Sequence, residues 1–220
     1  MITELLRSHK NPEKAVKQAK YMRDQFDYIG LSTPEIRELT KDFMKEKCKN
    51  KTVDWDFVQE MWKQPEREFQ YVACQYLIKL KKFLVKSDFA KILEIAVQKS
   101  WWDSIDNLDE LIGALVKSDE IGETEILELS KAENFWLRRL AIDHQLSFKL
   151  ETNEKLLAQV LKNNFGSDEF FINKAIGWAL RDYSKWNPDF VRDFIAENQA
   201  KMDKLSVKEA GKYLVKSDKK

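Results

Sequence analysis

The sequence predicts an all-α fold arranged as a helical-repeat solenoid, and three observations carry that expectation. The 220 residues include only 6 Gly and 4 Pro, Lys and Glu are abundant, and alternating β-branched runs bounded by turn dipeptides are missing. Short connections join the periodic apolar segments throughout, which leaves a bundle or a stack of helical hairpins. A faint internal echo favours the stack: Phe69 with Ala73, Leu137 with Ala141 and Phe171 with Ala175 recur 68 and then 34 residues apart. Periods of about 34 to 47 residues belong to stacked helix pairs, whose units need their neighbours to bury an apolar face. In that register Arg139 takes the slot of Tyr71 in the earlier unit and Asn173 in the later one, giving a curved wall with varying polar tips.

The elements follow in order. Asn11-Pro12 reads as an N-cap with proline at the first helical position, and Gly30 reads as the stop of that helix. Thr33-Pro34-Glu35 repeats the start signal. Further helices are expected at 54–63, 65–82, 88–99, 101–117, 123–131, 134–149, 151–164, 168–185, 188–199 and 205–215. Ser100 with Asp103 reads as a capping box for the fourth of these, with Ile105, Leu108, Ile112 and Leu115 as its core stripe.

With no Pro/Gly/Ser-rich linker or composition break, residues 1–220 read as one domain. The start, Met1-Ile2-Thr3-Glu4-Leu5-Leu6-Arg7, lacks the apolar stretch of a signal peptide, and no later segment approaches the ~20 apolar residues of a membrane span. These features point to a cytoplasmic protein without a membrane partner. Cys48 and Cys74 lack CxxC spacing, and with only His9 and His144 beside them they assemble no zinc or iron–sulfur site, so no metal and no cofactor are expected. The net charge of +1 suggests no nucleic-acid partner by itself, but charge is segregated. Residues 1–25 carry six Lys/Arg against three Asp/Glu, residues 199–220 seven against three, and residues 109–133 two against eight. Such runs are usually solvated faces, and only their coincidence with aromatics changes that weighting.

That coincidence occurs at three places. Ser100-Trp101-Trp102-Asp103-Ser104-Ile105-Asp106 puts Trp102 and Asp106 at i,i+4 on one helix, an indole face beside an anion and a surface suited to a flat cation. On the helix at 134–149, Arg139 falls within an apolar stripe of Phe135, Ile142 and Leu146. There it either meets an anion such as phosphate or pairs with a nearby Asp or Glu. On the helix at 168–185, Ile172, Ile176, Ala179, Leu180 and Tyr183 form the core stripe, while Phe171, Lys174, Trp178 and Arg181 share another side. Mixed aromatic and basic stripes contact phosphates through the cations and sugars or bases through the rings. Trp55, Trp62, Trp101 and Trp186 read as packing residues, Trp136 stays open, and His144 reads as a core histidine. No GxSxG, P-loop, HExxH or local Cys–His signature occurs.

These residues resemble the AlkD-like DNA alkylation repair glycosylases, which are built of HEAT-like helical repeats with a concave DNA-binding face. The resemblance runs from about Asn11 to Lys212. Its carriers are Asn11-Pro12-Glu13-Lys14-Ala15 with Tyr21-Met22, Thr33-Pro34-Glu35 with Arg37, and Pro65-Glu66-Arg67-Glu68-Phe69-Gln70. They continue with the Ser100–Asp106 segment, Asn134-Phe135-Trp136-Leu137-Arg138-Arg139, and Phe170–Trp178 with Leu180-Arg181. The resemblance implies Asp106 as the catalytic carboxylate, Trp102 and Trp178 as aromatic walls around the lesion nucleotide, and Arg139 as a phosphate clamp. Tyr21, Thr33 and Arg37 become further DNA contacts, beside Lys174 and Arg181. The implied activity is excision of positively charged 3- and 7-alkylpurines from duplex DNA by a monomer. A non-catalytic module that binds damaged or branched DNA is the alternative, and a protein–protein scaffold is a third reading, disfavoured by the basic and aromatic stripe.

Overall fold

A computed structural model describes residues 1–214. The described residues contain thirteen α-helices and no strand, the nearest approach to one being an isolated bridge between Asp27 and Glu66. The chain divides into two compact units, one ending at Leu84 and the other beginning at Val85. No helix among the described residues is long and apolar enough to cross a membrane.

The first unit holds α1 (Ile2–Ser8), α2 (Pro12–Tyr21), α3 (Thr33–Lys47), α4 (Trp55–Lys63) and α5 (Arg67–Leu80). α1 packs on α3, α3 on α5 and α4 on α5, over a core that includes Leu6, Ile36, Val58, Trp62, Phe69 and Leu77. Asn11 caps α2 by accepting from the Lys14 amide, with Pro12 at N1, as the sequence predicts. The stop predicted at Gly30 is not where α2 ends. The helix closes after Tyr21 through two residues in left-handed conformation, Arg23 and Asp24, and the Asp24 amide reaches back to Ala19 O at 2.8 Å. This is glycine-type cap geometry built without glycine. Gly30 serves the loop that returns to α3: its φ is +99°, and a Cβ there would stand 2.0 Å from Asn11 O. Glu68 on α5 holds that loop, accepting from the amides of Ile29, Gly30 and Leu31 at 2.9, 2.8 and 3.1 Å. Gln70 likewise donates to the carbonyls of Met61, Trp62 and Gln64 at the end of α4, where a helix terminus leaves carbonyls short of intrahelical donors.

The second unit holds α6 (Lys86–Ala96), α7 (Trp102–Lys117), α8 (Glu123–Leu129), α9 (Phe135–Asp143), α10 (Glu154–Lys162), α11 (Phe170–Tyr183), α12 (Pro188–Asn198) and α13 (Lys204–Ala210). Its odd-numbered helices form a continuous row, α7 on α9, α9 on α11 and α11 on α13, while α8 packs on α10 in the other layer. The unit is therefore a stack of helix pairs, as a helical-repeat solenoid requires. α11 and α13 lie close because Gly177 faces Ser206 and Glu209, and a Cβ at 177 would come within 2.5 Å of Glu209 Cβ.

Other boundaries differ from the sequence expectation too: the helices expected at 88–99 and 205–215 are Lys86–Ala96 and Lys204–Ala210, with residue 215 outside the described residues, and two further differences have a visible cause. The helix expected from 134 to 149 stops at Asp143, followed by left-handed Ser147 and Lys149. Asp182 of α11 takes the Ser147 amide at 2.8 Å, so a tertiary partner ends the element without any local breaker. The capping box of Ser100 and Asp103 does not form. Trp101 is the N-cap of α7, and the Ser100 hydroxyl turns back to Ala96 O at 2.7 Å, closing α6 instead.

Candidate active site

The predicted core stripe of α7 is fully buried at Ile105, Leu108, Ile112 and Leu115, and this fixes which side chains lie beside it. Trp102 and Asp106 are partly exposed, one turn apart, and Asp109 follows at i+3, buried. Facing them, α9 contributes Arg139 and, one turn later, Asp143, each 1 % exposed.

Arg139 lies at the centre. Its Nε and Nη2 donate to Asp106 Oδ1 at 3.1 and 2.7 Å, and Nη1 donates to the Phe171 carbonyl at the start of α11 at 2.7 Å. Nε also lies 3.4 Å from Asp143 Oδ2. One guanidinium therefore serves α7, α9 and α11 together. Carboxylate oxygens of Asp106, Asp109 and Asp143 lie within 4.8 Å of one another, and the cation they gather round is this guanidinium.

The electrostatics follow from burial. Loss of hydration raises the Asp106 carboxyl, against the pull of Arg139; the Asp106 side chain is still a quarter exposed. Burial pushes Asp143 up to about 7, and burial with Asp143 and Asp106 as neighbours drives Asp109 well above the carboxylate range. Burial opposes the charge on Arg139, but the surrounding carboxyls outweigh it and its pKa is raised. Two like charges 4.8 Å apart repel by about 3 kcal/mol at an effective dielectric of about 20. Ionised Asp106 beside Arg139, with protons retained on the deeper acids, is the arrangement that geometry favours.

Trp178 on α11 borders this cluster, with Arg139 Cζ 5.6 Å, Lys174 Nζ 5.7 Å and Arg181 Cζ 5.5 Å from its ring centroid. Its indole Nε1 is buried without a hydrogen-bond partner. Lys174 and Arg181 are not an open basic stripe: both close on Glu209 of α13, at 2.7 and 2.6 Å. Phe171 departs further from its expected place. It packs with Trp101 and Trp136, centroids 5.3 and 5.0 Å away, in an aromatic cluster at the N-terminal ends of α7, α9 and α11. Trp136 belongs to that cluster and is buried, while Trp62 is a core residue and Trp186 lies on the surface near Lys149. His144 is a core histidine: burial holds it down to about 4, and its Nδ1 hydrogen-bonds Ala141 O at 2.7 Å.

The structure thus brings together Asp106, Arg139, Trp178, Lys174 and Arg181, with Trp102 one turn before Asp106 on α7. Arg139, expected as a phosphate clamp, has partners within the chain. A phosphate clamp presents its fork to solvent, whereas this guanidinium is buried and directed at Asp106 and the Phe171 carbonyl. Tyr21, Thr33 and Arg37 lie in the first unit, all three exposed. Sequence reasoning missed Asp109, Asp143 and Glu209. The i,i+3 pair Asp106/Asp109 and the i,i+4 pair Arg139/Asp143 were the available signals, each indistinguishable from a solvated helix face until α7 and α9 are packed together.

A family model described as DNA alkylation repair enzyme matches residues 2–214. Among solved structures, the chain is similar to a predicted DNA alkylation repair enzyme from Enterococcus faecalis, with 34% identity and a TM-score of 0.85, over 94% of this chain and 98% of that one. No curated protein matches the chain.

Proposed function

Because the chain belongs to the DNA alkylation repair enzyme family, we propose that it is a DNA glycosylase, a monomeric cytoplasmic enzyme of base excision repair that removes positively charged 3- and 7-alkylpurines from duplex DNA. The observation that carries this reading is Asp106: a partly exposed carboxylate, oriented by a buried arginine, with Trp102 on its own helix and Trp178 beyond Arg139. A purine alkylated at a ring nitrogen already bears the charge that an acid would otherwise supply. The C1′–N bond breaks with its electron pair going to the base, which leaves neutral, while positive charge develops on the deoxyribose. A fixed carboxylate stabilises that charge and orients the water that adds to C1′ and passes its proton to bulk solvent.

The aromatic walls take different parts. Trp178 is surrounded by three cations, a setting that suits the phosphates flanking a lesion. Trp102, one turn before Asp106 on α7, takes the cationic nucleobase, a contact worth about 0.5–2 kcal/mol. Lys174 and Arg181 contact phosphate by exchanging Glu209 for it, and Tyr21, Thr33 and Arg37 are DNA contacts of the first unit.

The test is release of 3-methyladenine and 7-methylguanine from methylated duplex DNA. Asp106→Asn is expected to bind the duplex as the parent does and to slow release by about 100-fold or more, the scale of a lost electrostatic stabiliser. Equal turnover by variant and parent contradicts the assignment. One observation favours a second reading, a non-catalytic DNA-binding module: the Asp106 carboxylate already has a partner in Arg139. A gel shift by the parent without released base supports that alternative.

A further inference from the structure

We propose that Asp143 is a second seat for the Arg139 guanidinium, a positioning residue that takes the cation from Asp106 and so uncovers the Asp106 carboxylate for the sugar. The inference rests on the reading of Asp106 given above, and it answers the difficulty that reading carries. A carboxylate held by two N–H donors is partly neutralised, and it stabilises a developing cation less well than a free one.

The geometry for the exchange is already in place. Nε of Arg139 lies 3.1 Å from Asp106 Oδ1 and 3.4 Å from Asp143 Oδ2, so a rotation of the guanidinium that brings Nε onto Asp143 also has to draw Nη2 off Asp106 Oδ1, 2.7 Å away. Nη1, held by the Phe171 carbonyl, serves as the pivot. An independent observation marks Asp143 as the receiving group: it is 1 % exposed, and neither carboxyl oxygen has a hydrogen-bond partner. Buried acceptors are nearly always satisfied, because an unmet one costs about 1–3 kcal/mol. Here the missing donor is the one 3.4 Å away.

The charges that face Asp143 limit the exchange to one proton. They are Arg139 on its own helix and Asp106 and Asp109 on α7. Among the described residues, α6, α8, α10 and α11, which also pack on α9, bring no ion pair to it. Asp143 accepts the guanidinium only as a carboxylate, so its proton must first pass to solvent base. Since burial raises Asp143 to about 7, the uncovered state of Asp106 gains population as pH rises through neutrality.

Single-turnover release of 7-methylguanine, followed for the parent and Asp143→Asn, tests this. The parent rate is expected to rise about tenfold between about pH 6 and pH 8, and Asp143→Asn to stay at the low-pH rate of the parent with duplex affinity within about twofold. A variant that keeps the rise overturns the proposal. Carbon-13 NMR of the aspartate carboxyls of the parent needs no variant to fold: the Asp106 signal is expected to move with the Asp143 titration, and an unmoved Asp106 signal also overturns it. Failure of the glycosylase reading looks different, with Asp106→Asn as fast as the parent or no base released at all.

Discussion

Each unit of this protein buries a carboxylate, and the two could hardly be treated more differently. Glu68 in the first unit is fully buried and takes three backbone amides from residues 29–31, binding the loop between α2 and α3. Asp143 in the second unit is as deeply buried and takes no hydrogen bond. An anion met by fixed amides is architecture, with its desolvation cost offset where it stands. One left with a shared arginine keeps a choice of proton or cation, and this freedom is what a working site uses.

The largest test of that contrast is stability. Glu68→Ala is expected to cost about 3–5 kcal/mol in urea unfolding, since three buried amides lose their acceptor. At about pH 4, where the folded Asp143 carboxyl is neutral as an amide is, Asp143→Asn is expected to stay within about 1 kcal/mol of the parent, because it then removes neither a hydrogen bond nor a charge. Equal losses would abolish the distinction. Gly30→Ala attacks the same loop from the other side and is expected to cost about 3 kcal/mol, from the left-handed φ and the overlap with Asn11 O together.

pH sharpens the comparison with effects of similar size. The folded state raises Asp143 from 3.8 to about 7 and so binds a proton that the unfolded chain releases. Its contribution to stability therefore declines from about pH 4 to about pH 7 and is level above, and Asp143→Asn removes that decline. His144, lowered from 6.5 to about 4, acts in the opposite sense. The unfolded chain takes a proton that the fold refuses, so stability falls as pH drops from 6.5 towards 4, a slope that His144→Gln is expected to remove in thermal melts. The smallest effect is at Glu209. Glu209→Gln is expected to tighten duplex binding about threefold at low salt and to steepen its salt dependence, since Lys174 and Arg181 become available to phosphate.

Helix starts were legible in the sequence because their signals are local. Asn11-Pro12 and Thr33-Pro34 open helices where expected, within a residue. Features settled by distant partners were not. Gly30 looks like a stop because nothing in its neighbours announces Asn11 O, and α9 ends early through Asp182, 35 residues away. The site divides along the same line. Asp106 and Trp102 share a helix and were visible as a pair. Asp109 sat at the head of an acidic run that reads as a solvated face, and Lys174 and Arg181 looked open because Glu209 arrives from another helix.

The bare backbone at Gly177 has an outcome beyond packing. Because α13 settles against it, the acid of that helix comes to rest between two cations, and the electrical character of the neighbouring surface is decided by an atom that is missing. A methyl group added there would carry no charge, yet by lifting Glu209 away it would turn a neutralised patch into a positive one.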